Sequence, residues 1–136
     1  MSHIVTIPCK FTDLDTLVEA VQALGATLNL FERRATYYGT DHGTQRRDEN
    51  KCEHTISVPG THYTAAVTLD QEGNYCVGWD DYGSGHALTQ VLGPGARKLK
   101  QAYAQATTIR YAKSKGWSYE VQTLPNGNQV VNLQTR

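Results

Sequence analysis

Apolar and polar positions change period several times along the chain, and each change marks an element. Residues 61–79, THYTAAVTLDQEGNYCVGW, alternate: Tyr63, Ala65, Val67 and Leu69 fall on one face of a first arm, and Tyr75, Val77 and Trp79 on one face of a second. Gln71-Glu72-Gly73-Asn74 supplies the turn between them, because Gly73 and Asn74 accept the positive φ of a tight connection. The β-branched and aromatic residues of both arms suit a pleated, half-buried surface, so the hairpin is predicted to be the centre of a sheet.

Upstream, residues 3–9 predict a first strand ended near Pro8. Thr12 follows as a helix N-cap with Asp15 three residues on. Leu14, Leu17, Val18, Val21 and Leu24 recur at helical spacing up to Gly25, which predicts a helix over 13–24. Residues 26–31 predict a short strand with Leu28 and either Leu30 or Phe31 turned inward. The pattern then lapses. Residues 33–53, RRATYYGTDHGTQRRDENKCE, carry no aliphatic period and predict an exposed polar excursion. A strand resumes at 54–58 and Pro59-Gly60 turns the chain into the central hairpin.

Beyond Trp79, the Gly-rich link 80–86 predicts no regular element, and 87–92 predicts a short strand or a helical turn. Gly93-Pro94-Gly95 breaks the chain before a second helix over 96–115, with Leu99, Ala102, Tyr103, Ala106 and Ile109 as its inward stripe and Gly116 as its stop. Residues 117–123 and 129–134 alternate around Pro125-Asn126-Gly127-Asn128 as a closing hairpin. This order of elements predicts a single domain of α+β class: two layers, an antiparallel sheet with two helices on one face. The uncovered sheet face or edge is then open to self-association or to a ligand.

Composition narrows the function. Thirteen basic and thirteen acidic side chains give a formal charge of zero, so no overall field attracts nucleic acid or an anionic membrane. No apolar run reaches a membrane span, and the N-terminus lacks a basic region followed by a long apolar one. Three cysteines, Cys9, Cys52 and Cys76, without a C-x-x-C pair fit reduced thiols in a cytoplasmic protein better than a disulfide framework.

Four constellations carry possible chemistry. Cys52-x-His54 with His42, His62 or Cys76 has the ligand types of a zinc site but shows only one close pair, so the expectation is no metal and no cofactor. Gly83-Ser84-Gly85-His86 and, better, Gly93-Pro94-Gly95-Ala96-Arg97-Lys98 have the glycines and cations of an anion site ahead of a helix, without the order of a P-loop. In the excursion, Arg33, Arg34, Arg46, Arg47 and Lys51 interleave with Tyr37 and Tyr38, as in nucleotide or single-strand recognition, although Asp41, Asp48, Glu49 and Glu53 offset the charge. Asp80, Asp81, Ser84 and His86 are the residues of a hydrolytic reading, but adjacent strand carboxylates point to opposite sides and no nucleophile elbow is present.

Several pieces carry a resemblance. MSHIVTI followed by Phe11, Asp13 and Leu14, the central stretch with Asn74, Tyr75 and Gly78, and the run from Tyr103 through Arg110-Tyr111-Ala112 to Gly116 are similar to the small cyanobacterial, plastid and phage-type proteins called Ycf thirty-five-like. The polar excursion and the Gly-Ser-Gly-His link depart from that pattern. The resemblance implies a family of unknown function and supplies no catalytic residue. With a patterned core, a polar insert and no convergent catalytic set, the expectation is a non-enzymatic interaction protein. It would form a homo-oligomer through a sheet face or edge and meet a protein partner through 33–53. The alternatives are a binder of a phosphate-bearing ligand or nucleic acid through Arg97, Lys98 and the arginine pairs, and a small hydrolase.

Overall fold

The computed structural model of the chain describes residues 5–37, 50–125 and 129–134. In chain order the elements are β1 (Val5–Phe11), α1 (Leu14–Ala23), β2 (Thr27–Asn29), β3 (His54–Ser57), β4 (Thr64–Leu69), β5 (Tyr75–Trp79), α2 (His86–Leu92), α3 (Arg97–Lys115), β6 (Ser118–Thr123) and β7 (Gln129–Gln134). The class is α+β. An antiparallel five-stranded sheet has the order β1-β5-β4-β3-β2, and α1 and α3 pack on each other over one of its faces.

The central hairpin is β4–β5, with Val67 opposite Val77 and Leu69 opposite Tyr75. Its turn is held by Asp70, whose Oδ1 accepts from the N–H groups of Glu72 and Asn74, both at 2.9 Å, while Gly73 takes φ +85°. Partners in an antiparallel register share a face. Leu28, Ile56, Ala65, Val67 and Val77 therefore lie on one side, where they are buried with Leu17, Ala20 and Val21 of α1 and Leu99 of α3. Trp79 joins them and ties β5 to α2 by donating Nε1–H to Thr89 Oγ1 at 2.9 Å.

The opposite face is closed as well, contrary to the expected open one: Thr55, Thr64 and Ala66 are buried there. The chain around 35–37 is hydrogen-bonded onto the start of β4, Thr64 N donating to Thr36 O and Thr36 N to Thr64 Oγ1, each at 2.8 Å. Both outer edges are poor templates for a further strand. β2 has three residues, and β1 contains Pro8 within an irregularity between Ile7 and Phe11.

Local details correct the expected boundaries. The α1 N-cap is Asp13, not Thr12: its carboxylate accepts from Thr16 Oγ1 at 2.5 Å and from Thr16 N at 2.9 Å, and these bonds, the hydroxyl's first, hold its pKa below the usual value. The N–H groups of Thr12 and Asp13 go instead to Tyr103 Oη at 3.1 and 3.0 Å, clamping the start of α1 to α3. Leu30 and Phe31 are exposed rather than inward. The Gly-rich link does form structure: Gly83–Gly85 is a 3-10 turn leading into α2, and a Cβ on Gly85 would collide with the Asp80 carbonyl oxygen. Ala106 and Ile109 of the α3 stripe are half-buried, facing α1 across a groove of about 210 Å³.

The closing hairpin β6–β7 does not extend the main sheet. It is a separate two-stranded sheet with six regular pairs from Ser118↔Gln134 to Thr123↔Gln129, resting on α3. The C-cap Gly116, at φ +69°, turns the chain into it, with Trp117 N donating to Ala112 O at 2.9 Å.

Candidate functional site

The described ends of the 33–53 excursion are paired rather than loose. Arg34 bridges Lys51 in antiparallel sense, Ala35 N donates to Asn50 O at 2.9 Å, and Cys52 N donates to Arg33 O at 2.9 Å. Alternation along this short ladder sends Ala35 and Tyr37, each 1% exposed, into the core and turns Arg34 to the opposite, outer side, while Arg33 at the ladder's end is also exposed. Tyr37 is thus a packing residue, removed from any base-stacking role. Tyr38, Arg46 and Arg47 lie outside the described residues.

Arg33 and Arg34 share a surface cavity of about 400 Å³ with Lys51, Cys52, Glu53, Thr68 and Leu69. Its wall carries three cations and one carboxylate. That carboxylate is tied down, because Glu53 pairs with Arg33, whose guanidinium also stacks 5.4 Å over the Phe31 ring. Arg34 donates Nη1–H to the Asn50 amide oxygen at 3.1 Å. The Cys52 thiol donates to Glu32 O, and burial pushes its pKa up to about 11, so it is a neutral apolar wall and not a nucleophile.

Beside the cavity, Phe31 holds φ +62°, rare for a bulky side chain, because its N–H donates to His54 Nδ1 at 2.9 Å and its ring meets the imidazole edge-on. His54 is buried, and burial first, then Arg33, lowers its pKa. This imidazole is a structural acceptor. Among the described residues no group of three or more His, Cys, Asp and Glu is placed to hold a metal ion.

Arg97 and Lys98 do not line the cavity. Lys98 Nζ instead donates to Gln90 O at 2.9 Å, satisfying a carbonyl at the end of α2. The hydrolytic set is also divided. Asp80 is 3% exposed, accepts from Tyr82 N at Oδ1 at 2.9 Å and leaves Oδ2 without a hydrogen-bond partner. Asp81, exposed, accepts from Thr89 Oγ1 at 2.6 Å and faces His86 Nδ1 at 3.4 Å. The two neighbouring carboxylates thus work in different surroundings and form no shared acid/base pair.

Sequence reasoning named Arg33, Arg34 and Lys51 but missed Thr68 and Leu69 as part of the same cavity wall. It also gave no weight to the surface of β6–β7. Antiparallel partners Tyr119–Leu133 and Val121–Val131 share one face of that ribbon, while Glu120, Gln122 and Asn132 share the other. Tyr119, Val121 and Leu133 are 40%, 38% and 39% exposed, and Tyr111, beside Trp117 at the ribbon's root, is 51% exposed.

No family model, curated protein or solved structure matches the chain, so the resemblance to the Ycf thirty-five-like proteins rests on the sequence pieces that carry it. Among the described residues no helix is long and apolar enough to cross a membrane.

Proposed function

We propose that this protein is a non-enzymatic interaction protein that self-associates, and that the β6–β7 ribbon is the surface through which it does so. The observation that carries this reading is the ribbon's half-exposed apolar face, Tyr119, Val121, Val131 and Leu133. A two-stranded hairpin is marginal in water by itself, and an apolar stripe left this open gains by being covered. The ribbon also lacks the usual devices against edge pairing. Its strands contain no Pro and a single charge, Glu120, and the register has no bulge.

A second copy is the occupant that fits. In a two-fold contact the same patch faces itself, so a patch of one charge sign repels its copy; the apolar face of this ribbon carries no charge. Six residues at roughly 3.3 Å each make a ribbon about 20 Å long and about 10 Å wide. That footprint is far below the ~800 Å² per partner of a stable complex. The association is therefore weak unless Tyr111 and Trp117 widen it. Free thiols at Cys52 and Cys76 suit a reducing compartment, which we take to be the cytoplasm.

Sedimentation of the full chain across concentrations up to the order of 100 μM tests this reading, a range set by the small footprint. The wild type is expected to show a concentration-dependent dimer, and Val121→Lys with Leu133→Lys to abolish it without loss of the circular dichroism signal. A strict monomer at the top of that range would overturn the proposal. So would a dimer indifferent to the two lysines.

A further inference from the structure

We infer that two copies join edge to edge along β7, antiparallel about a two-fold axis at Asn132, and that assembly closes at this dimer because the ribbon's other edge, β6, carries Glu120. The inference rests on the ribbon being the self-association surface, and names the edge, the register and the limit of that contact. Among the described residues β1, β2, β6 and β7 are the strands with an unpaired edge, and all but β7 are defended. β2 has three residues, and β1 is interrupted by Pro8 and an irregular register. β6 has Glu120 near its middle and the end of α3 at its start, where Trp117 N donates to Ala112 O. β7, QVVNLQ, is six residues long and regular, without charge or proline. The partner best suited to such an edge is the same edge of another copy.

Side-chain alternation selects the register. Directly opposed residues of an antiparallel pair share a face, so the two apolar faces stay together only when odd-numbered positions oppose odd-numbered ones; a one-residue slip sets apolar against polar. With Asn132 opposite the partner's Asn132, Val131 stands opposite the partner's Leu133 on both sides of the axis. Centring on Val131 would set Leu133 against Gln129, and centring on Leu133 would leave Val131 beyond the end of the opposing strand. On the polar face the two Asn132 amides meet. Each donates one N–H to its own Gln122 Oε1 at 3.3 Å and keeps a second N–H and its carbonyl oxygen for the other.

Joining the edges turns two hairpins, each marginal alone, into one four-stranded sheet and covers the outer flanks of Val130 and Leu133, 37% and 39% exposed. Main-chain hydrogen bonds carry an edge contact, so it does not depend on the small apolar footprint alone. The dimer then presents β6 at both ends. A further copy pairing there with its apolar face aligned would bring Glu120 opposite or diagonally beside the same carboxylate, and growth stops.

Sedimentation of the full chain carrying Asn132→Lys tests the edge. Within each hairpin position 132 faces Glu120, so the new ammonium gains a partner and the ribbon is kept, whereas across the axis two ammonium groups meet. Dimerisation should weaken about fivefold or more, with unchanged circular dichroism. Contact through the apolar face would leave it unchanged, because position 132 lies on the other face. Glu120→Gln should sediment beyond the dimer where the wild type stops at it, and raising the wild-type concentration should slow amide exchange more in β7 than in β6. Loss of the dimer in Val121→Lys with Leu133→Lys but not in Asn132→Lys would keep the ribbon as the surface and overturn the edge; a strictly monomeric wild type would overturn both. A Glu120→Gln variant that halts at the dimer, or equal slowing in β6 and β7, would also overturn the inference.

Discussion

The five-stranded sheet and the two-stranded ribbon are both regular antiparallel structure in one chain, yet they are finished in opposite ways. The sheet is closed on both faces, by helices over Ile56, Ala65 and Val67 and by burial of Thr55, Thr64 and Ala66 behind. Its edges are blunted by a three-residue strand on one side and a Pro-containing, irregular one on the other. The ribbon has an apolar face two-fifths exposed and strands that, among those described, pair only with each other. The difference teaches where intermolecular contact is to be sought: a face already buried within the chain gains nothing from a partner, whereas a half-covered one does.

The largest effect separates the two regions directly. Tyr37→Ala removes a 1%-exposed ring and should cost about 3–5 kcal/mol, measured by urea denaturation. Tyr119→Ala on the ribbon, already 40% exposed, should cost under about 1 kcal/mol. Equal losses would erase the distinction. A loss at Tyr37 below about 1 kcal/mol would return the excursion to the surface protrusion that its composition predicts.

Amide exchange sharpens the same comparison without mutation. Openings of β6 and β7 should lie well below the global unfolding free energy, while Thr55, Ala66 and Val77 exchange only through global unfolding. Raising the protein concentration should slow exchange in the ribbon alone, because only there does a second copy add protection. Protection that rises equally in β4 and β5 would place the contact on the sheet.

Much of this architecture is legible in the sequence. Alternation over 61–79 marks β4 and β5, and the spacing of Leu17 and Val21 marks α1, because each pattern reports burial against one neighbouring layer. Tyr37 escapes for a physical reason. Its only signal is the Ala35-x-Tyr37 alternation, two positions long and set among arginines that dominate the local composition. Thr12 and Asp13 are both good caps, and the choice between them is made by Tyr103, ninety residues away, which takes both of their N–H groups. Alternation likewise announces β6 and β7 but cannot say that they pair apart from the main sheet. The cavity is illegible for the same reason: Thr68 and Leu69 reach Arg34 and Lys51 only through strand pairing.

The pH dependence tests the join between the two kinds of surface. His54 is held neutral by burial, with Arg33 adding to the effect, and its Nδ1 must stay unprotonated to accept from Phe31. An unfolded chain takes the proton near pH 6.5, the folded chain only at lower pH. The unfolded state therefore binds more protons as pH falls through 6.5, and stability present above that value is lost below it. Denaturation midpoints at pH 7.5 and 5.5 should differ in that direction, with the difference reduced in His54→Asn, whose amide oxygen can accept the same bond. Stability that rises on acidification would show that His54 is paired as a cation instead.

Tyr103→Phe tests the closure of the helix layer. Its hydroxyl accepts from Thr12 N and Asp13 N at the exposed start of α1, so removing it leaves two donors that water can reach. The expected cost is accordingly that of a net hydrogen bond, about 1 kcal/mol, without the penalty of burying an unpaired group. The ring stays packed edge-on against Phe11 at 4.9 Å between centroids, so the core is not opened. Asp13→Ala should cost about the same through loss of the cap. The two together should be less than additive, because both act through Asp13 at the same helix start: its carboxylate takes Thr16 N, and its own N–H goes to Tyr103 Oη. Strict additivity would mean that Tyr103 steadies α3 alone, and that α1 is held over the sheet by Leu17, Ala20 and Val21 without help from the clamp.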